Sequence, residues 1–142
     1  MRKGVLVILS LIILNVSFAE IVNCQISGIK SNKGNILVGV FTSSVGFEML
    51  KTFKSLKLSK KNVKNGILSF AVNLPPAEYG FSILDDDNLS GEMEYNFFGI
   101  PNEGFGFSNY FHSGVFEPKF DAFKFLLKKD KSIFIKIKMK YM

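Results

Sequence analysis

Apolar and polar residues alternate with a period of two over much of this chain, and few stretches show the 3.6-residue period of a helix. The clearest case is the C-terminal segment, where one face carries Ile133, Ile135, Ile137, Met139 and Tyr141 and the other face carries Phe134, Lys136, Lys138 and Lys140. Alternate side chains of a β-strand point to opposite faces. We therefore predict an antiparallel strand with one buried face and one solvated face, whose lysines discourage pairing with another strand edge.

The same pattern predicts further strands earlier in the chain. They cover residues 21–27, 36–41, 66–74, 79–83 and 123–127. In the first of them Cys24 shares a face with Val22 and Ile26, so we expect Cys24 to be a small, buried core residue. Six or seven short strands with turns between them predict an all-β sandwich with Greek-key connections, and a small barrel is the alternative.

Two long segments interrupt the predicted strands. Residues 43–65 are rich in lysine, and within them residues 46–53 form at most one or two helical turns. Such turns would roughly align Phe47, Leu50 and Phe53. Residues 85–120 are the second long segment, and loops of this length without regular structure are often functional.

The N-terminal segment has the features of an export signal. Two basic residues precede an apolar run over residues 5–14, and residues 17–19 fit a cleavage site. The run is too short for a membrane span of about 20 residues. We therefore predict a cleaved signal peptide over residues 1–19, one domain over residues 20–142, and a periplasmic or secreted protein without a stable membrane span.

The counts of cysteine and histidine exclude several classes of site. Cys24 is the only cysteine and His112 the only histidine of the sequence, so it offers no internal disulfide and no multi-histidine zinc site. Asn23 stands before Cys24, where lipidation signals need a small residue, so we do not expect a lipoprotein. We predict that the lysine clusters over residues 51–64 and 119–140 are solvated faces, and we expect no nucleic-acid partner for an exported protein.

The acidic segment over residues 85–94 has the spacing of the start of an EF-hand-type calcium loop. Gly91, at position 6 from Asp86, permits the tight turn, but position 12 is Phe97 rather than a bidentate glutamate. We therefore expect weak calcium binding, and the alternative is an acidic turn closed by its own hydrogen bonds. The candidate metal ligands are the side chains of Asp86, Asn88, Ser90 and Glu94 and the backbone carbonyl of Glu92.

Aromatic residues crowd the second long segment, which is also rich in glycine. They form a candidate binding surface, because exposed aromatic patches mark partner or ligand sites. The alternative is a loop that folds back and plugs one end of the sandwich with its rings. The candidate surface residues are Phe97, Phe98, Phe105, Phe107, Tyr110 and Phe111.

Catalytic signatures are weak. A glycosidase needs two carboxylates across a cleft, and the acids of residues 85–94 together with Glu103 are the only concentration that offers them. His112 stands near Ser108, but no nucleophile-elbow motif surrounds either residue. We therefore predict no catalytic residues and keep an envelope-directed hydrolase using acids of the 85–103 loop as the alternative.

The run N-F-F-G-I-P-N-E-G-F-G-F-S-N over residues 96–109 resembles the N-F-x-G-I-P-x-E-G-Y-G-F-S-N signature of a bacterial family, the domain of unknown function 2141. Residues 27–36 are similar to its opening strand and turn, and residues 74–79 to its L-P-x-G-x-Y step, with Ala77 in place of the usual glycine. The resemblance covers roughly residues 21–141. It implies an exported sandwich of the immunoglobulin or transthyretin type, and it assigns no activity and no catalytic residues.

Together these features predict an exported, non-enzymatic module of the cell envelope for binding or structure, stabilised by calcium if the acidic loop binds it. The expected partner is an envelope protein, a glycan or a small ligand.

Overall fold

The computed structural model describes residues 18–142, so the predicted signal peptide lies outside the described residues except for Phe18 and Ala19. The described residues form two β-sheets, which confirms the predicted all-β sandwich. The three-stranded sheet has the order β4 (Leu68–Leu74), β1 (Glu20–Ser27) and β8 (Ile133–Lys138). The five-stranded sheet contains β3 (Lys54–Ser59), β2 (Asn35–Phe41), β5 (Ala77–Asp86), β6 (Gly104–Phe107) and β7 (Phe125–Leu127). Two short helices, α1 (Ser44–Glu48) and α2 (Phe120–Phe123), and a 3-10 turn (Lys60–Asn62) complete the secondary structure.

The main hydrophobic core lies between the two sheets and draws on the alternating strands predicted from the sequence. Val22, Cys24 and Ile26 of β1 are buried in it, which confirms the predicted face of that strand. Ile135 and Ile137 of β8 are buried on the same side, while its lysines are exposed. Burial of these side chains is the main favourable term in the stability of a domain without disulfides.

The direction of β8 differs from the prediction. β8 pairs with β1 in parallel, with Cys24 opposite Ile135, and it is an edge strand of the three-stranded sheet. The alternation of side chains reports only which face of a strand is buried, because both parallel and antiparallel strands have a period of two. The parallel pairing requires a crossover, and the chain makes it through the second sheet.

The long segments contain regular structure that the sequence pattern did not reveal. Residues 43–65 include the edge strand β3, where exposed lysines obscure the alternation of Leu56 and Leu58. The helix α1 ends at Glu48, earlier than predicted, because Leu50 adopts a left-handed backbone conformation with φ of 53°. Of the three aromatic and aliphatic residues expected to align there, only Phe47 is buried.

The strand β5 organises the five-stranded sheet. One of its edges pairs with β2, and its other edge pairs first with β7 and then with β6. Because the end of β5 pairs with the start of β6, the segment between them starts and ends at the same edge of the sheet. The segment between β6 and β7 runs over the outer face of the sheet. Among residues 18–142, no helix is long and apolar enough to cross a membrane.

Candidate functional site

A second hydrophobic cluster lies on the outer face of the five-stranded sheet. It is made of Phe41, Phe47, Phe107, Phe120 and Phe123. The ring centroid of Phe123 lies 4.9 Å from that of Phe47 and 4.9 Å from that of Phe107. Gly80 makes room for these rings, because a Cβ atom there would lie 2.6 Å from Cε2 of Phe123. The cluster fastens α1 and α2 to the end of the face where β2 ends.

The rest of this outer face is open and forms the floor of an apolar groove with a volume of about 560 Å³. The floor consists of the outward side chains Leu37, Ser82, Leu84 and Phe105 together with Gly39. Residues in and before β3 and residues of the two loops that flank β6 form much of the remaining lining. They are Leu50, Thr52, Ser55, Leu56, Lys57, Met93, Tyr95, Pro101, Val115, Phe116 and Pro118. We call this feature the apolar groove.

The polar residues of the apolar groove are a minority of its lining. They are Ser82 on the floor, Thr52, Ser55 and Lys57 in or beside β3, and Glu92, His112 and Glu117 in the loops. The Nε2 atom of His112 hydrogen-bonds with the carbonyl oxygen of Phe116, while its Nδ1 atom is buried without a partner in the described part of the chain. A mostly apolar lining with a small number of polar atoms is typical of sites for small molecules.

The structure separates the six aromatic residues that the sequence grouped as a candidate surface. Phe105 and Phe107 line the apolar groove, and Phe107 is buried. Phe97 and Phe98 lie away from the groove, with 97% and 82% of their surfaces exposed. Tyr110 packs against the phenylalanine cluster.

Phe111, the sixth of these residues, is half exposed and lies under the ammonium group of Lys138, which is 5.0 Å from its ring centroid. Among the loop residues of the groove that sequence reasoning missed are Met93, Val115 and Pro118. No local pattern marks them, since they meet only when the loop folds over the sheet.

The acidic loop is closed by its own hydrogen bonds. Oδ2 of Asp86 accepts a bond of 3.1 Å from the backbone N–H of Gly91, and Oδ1 of Asn88 accepts one of 3.0 Å from Ser90. The hydroxyl of Ser90 donates to the carbonyl oxygen of Glu92 at 3.0 Å. The side-chain amide of Asn88 donates to Oε2 of Glu94 at 2.9 Å. The loop thus forms the turn expected as the alternative, while its oxygen atoms stay close together.

Only one of the five candidate metal ligands is buried. Asp86 is 2% exposed, whereas Asn88, Ser90, Glu92 and Glu94 are exposed. Within residues 18–142, no group of three or more Asp, Glu, His or Cys residues is placed so that it could hold a metal ion. A cation here would therefore also need amide, carbonyl or water oxygens.

Glu103 joins the acidic loop from β6. It is 8% exposed, and its Oε2 atom accepts a bond of 3.4 Å from the backbone N–H of Glu94. Burial raises the pKa of the Glu103 carboxyl above its usual value, and the negative charges of Asp86, Glu94 and Asp85 raise it further, against the lowering effect of the bond from Glu94. Glu103, Glu94, Asn88 and Asn102 line a small cavity of about 190 Å³.

A buried ion network stands on the other side of this cavity. The ammonium nitrogen of Lys60 contacts Oδ1 of Asp85 at 2.5 Å, Oγ of Ser31 at 3.1 Å and Oδ1 of Asp87. The hydroxyl of Tyr141 donates to Oδ2 of Asp85. Burial raises the pKa of Asp85, although its bonds from Lys60 and Tyr141 lower it. Sequence analysis placed Lys60 on a solvated face, and the structure shows it fully buried.

The hydroxyl of Ser108 is engaged by the backbone. It donates to the carbonyl oxygen of Phe123 at 2.6 Å and accepts from the N–H of Phe81 at 2.9 Å. Ser108 is fully buried, so it joins β5 to α2 and does not contact His112 as a nucleophile would contact its base.

Comparison with known proteins identifies a family. The model of a family described as an uncharacterised protein conserved in bacteria, the domain of unknown function 2141, matches residues 24–134. The matched residues span most of the sandwich, both cavities and the acidic loop, which confirms the resemblance seen in the sequence. No curated protein matches the chain, and no solved structure does.

Proposed function

The chain belongs to a family of uncharacterised proteins conserved in bacteria, and we propose that it is an exported, non-enzymatic binding module that holds a small apolar ligand in the apolar groove. The observation that carries the proposal is the groove itself. Its volume of about 560 Å³ falls within the range of about 300–1,000 Å³ that ligand sites occupy. A structural module without a ligand would gain stability by filling this space with side chains.

The exposed rim of the groove supports an apolar ligand. Leu50, Tyr95 and Phe116 line the groove, and each exposes more than half of its surface. Exposed apolar patches of this kind mark binding sites, because covering them removes apolar surface from water. A ligand that extends along the groove would contact all three residues and the floor of the sheet.

Export and calcium complete the proposal. Export is supported by the signal features of residues 1–19. We infer that calcium stabilises the acidic loop through Asp86, Asn88, Ser90, Glu92 and Glu94, whose oxygens lie in one turn. Weak binding suffices outside the cytoplasm, since calcium at about ten times Kd adds roughly 1.4 kcal/mol of stability.

Fluorescence titration with N-phenyl-1-naphthylamine, a neutral apolar fluorophore, tests the groove. We expect the protein to bind the probe and Ser55→Trp to abolish binding, because Ser55 is an exposed groove residue on the edge strand β3. Ser69→Trp is the matched control, since Ser69 is exposed on the other sheet, in β4. Equal probe binding by Ser55→Trp and the unmodified protein would overturn the proposal.

A further inference from the structure

Two buried carboxylates lie where β5 ends and β6 begins. The register of these strands ends at the pair Asp85 and Gly104, and Asp86 and Glu103 are the next residues along the two segments. Asp86 is 2% exposed and Glu103 is 8% exposed. Two like charges buried in one place repel each other, and a cation between them would relieve this repulsion.

Each of the two carboxylates keeps one oxygen without a partner. Asp86 uses Oδ2 to accept from Gly91, and Glu103 uses Oε2 to accept from Glu94. The atoms Oδ1 of Asp86 and Oε1 of Glu103 are buried and have no hydrogen-bond partner among residues 18–142. Leaving buried acceptors unsatisfied is costly, and far more so when they are charged.

Lys60 does not supply the compensating charge. Its ammonium group has three N–H donors, and these point to Ser31, Asp85 and Asp87. Within the described part of the chain, no salt bridge joins Asp86 or Glu103 to a basic side chain.

We propose that Asp86 and Glu103 hold a calcium ion between them, and that Glu103 supplies the distal carboxylate that the acidic loop lacks at Phe97. This inference rests on the calcium-binding part of the proposed function and changes its ligand set. Phe97 is almost fully exposed, and its phenyl ring has no oxygen atom to offer a cation. Glu103 stands directly before β6, so the site closes through the fold and not along the loop.

The surroundings favour calcium over magnesium. Asn88, Asn102 and Glu94 line the cavity of about 190 Å³ beside Glu103 and offer amide and carboxylate oxygens, with room for water. Calcium accepts six to eight oxygen ligands in flexible geometry, whereas magnesium requires a nearly ideal octahedron. An irregular set of carboxylate, amide and water oxygens therefore fits calcium better.

The cation site and the apolar groove share one segment of chain. Met93, Tyr95 and Pro101 line the groove, while Glu94 and Asn102 line the acidic cavity. The segment is folded back on itself by a 2.9 Å hydrogen bond from the N–H of Asn102 to the carbonyl oxygen of Glu94. A calcium ion held by Asp86 and Glu103 would thus fix the residues that cover the groove, because Oε2 of Glu103 accepts a hydrogen bond from the backbone N–H of Glu94.

Calorimetric titration and thermal unfolding of the protein beginning at Glu20, with calcium and with magnesium, test the inference. We expect one calcium site and a rise in melting temperature that magnesium does not reproduce. Glu103→Gln should weaken calcium binding at least about tenfold, as changes at metal sites do. Without calcium it should melt no lower than the unmodified protein, because it removes a like charge from beside Asp86. Asp86→Asn should also weaken binding.

Glu48→Gln is the matched control, since Glu48 is exposed on α1 and lies outside the acidic loop and its cavity, so this variant should bind calcium with unchanged affinity. If Glu103→Gln binds calcium as tightly as the unmodified protein while Asp86→Asn does not, the loop binds calcium without Glu103 and the inference is overturned. If the unmodified protein binds no calcium at millimolar concentration, both the inference and the calcium part of the proposed function are overturned. The binding of the naphthylamine probe reports separately on the groove.

Discussion

The ammonium nitrogen of Lys60 lies 2.5 Å from Oδ1 of Asp85, and both side chains are buried. The pair joins the 3-10 turn after β3 to the end of β5, and Tyr141 near the C-terminus donates to the same carboxylate. Three segments that are distant in sequence therefore meet at one charge cluster. The cluster fixes the end of β5 from which the acidic loop starts.

Removal of the Lys60 charge should destabilise the protein strongly. Lys60→Met leaves Asp85 buried without its cation, and breaking a buried ion pair in this way costs about 3–5 kcal/mol. The control is Lys61→Met, because Lys61 is exposed and forms no salt bridge in the described residues. Urea unfolding measures both variants. The double variant Lys60→Met/Asp85→Asn should recover part of the loss, and no recovery would contradict the assigned pairing.

The thiol of Cys24 should be inert in the folded protein. Burial raises its pKa from an ordinary value of 9.0 to about 12, and the thiolate is the reactive form. A maleimide reagent at pH 8 should label the protein in denaturant and not in buffer. Rapid labelling in buffer would show that β1 does not bury this residue.

The same shift in the pKa of Cys24 makes stability depend on pH. Between pH 9 and about 12 the unfolded chain loses this proton first, so the folded state binds more protons. The free energy of unfolding should therefore fall as the pH rises through this range. Cys24→Ala lacks this contribution, so its curve should fall less steeply in urea unfolding measured at several pH values.

Truncation of Phe116 should weaken ligand binding in the groove without unfolding the protein. Phe116 lines the groove and is 87% exposed, so Phe116→Ala removes apolar contact with a ligand and little contact within the fold. We expect about a tenfold loss of affinity for the naphthylamine probe. Phe97→Ala is the control, because Phe97 is also exposed but lies outside the groove. Equal losses in the two variants would place the probe elsewhere.

Export predicts a defined N-terminus. The chain recovered from the periplasm or medium of an expressing bacterium should begin at Glu20, as intact-mass measurement shows directly. Ala19→Arg should prevent cleavage, because signal cleavage requires a small residue at this position. Recovery of exported protein that retains Met1 would contradict the prediction.

Sequence periodicity predicted the core because burial acts on each strand by itself. The faces of β1, β4 and β8 follow from alternation, since a shift of one residue in the pairing register would turn every apolar side chain of a strand toward water. The period fails at β3, where a lysine-rich edge strand has only two partly buried leucines. It also fails to report the parallel direction of β8, which depends on its neighbour β1.

By itself the sequence determined the all-β fold, the buried face of Cys24 and the acidic turn from Asp86 to Glu94, because each depends on residues near one another in the chain. The tertiary structure alone decided that Lys60 is buried against Asp85, that Glu103 is buried beside the acidic loop, and that loop residues cover a groove on the sheet. Lys60 and Asp85, for example, are 25 positions apart in the chain. The energy of these features comes from charge pairing and apolar contact between segments, which local periodicity does not record.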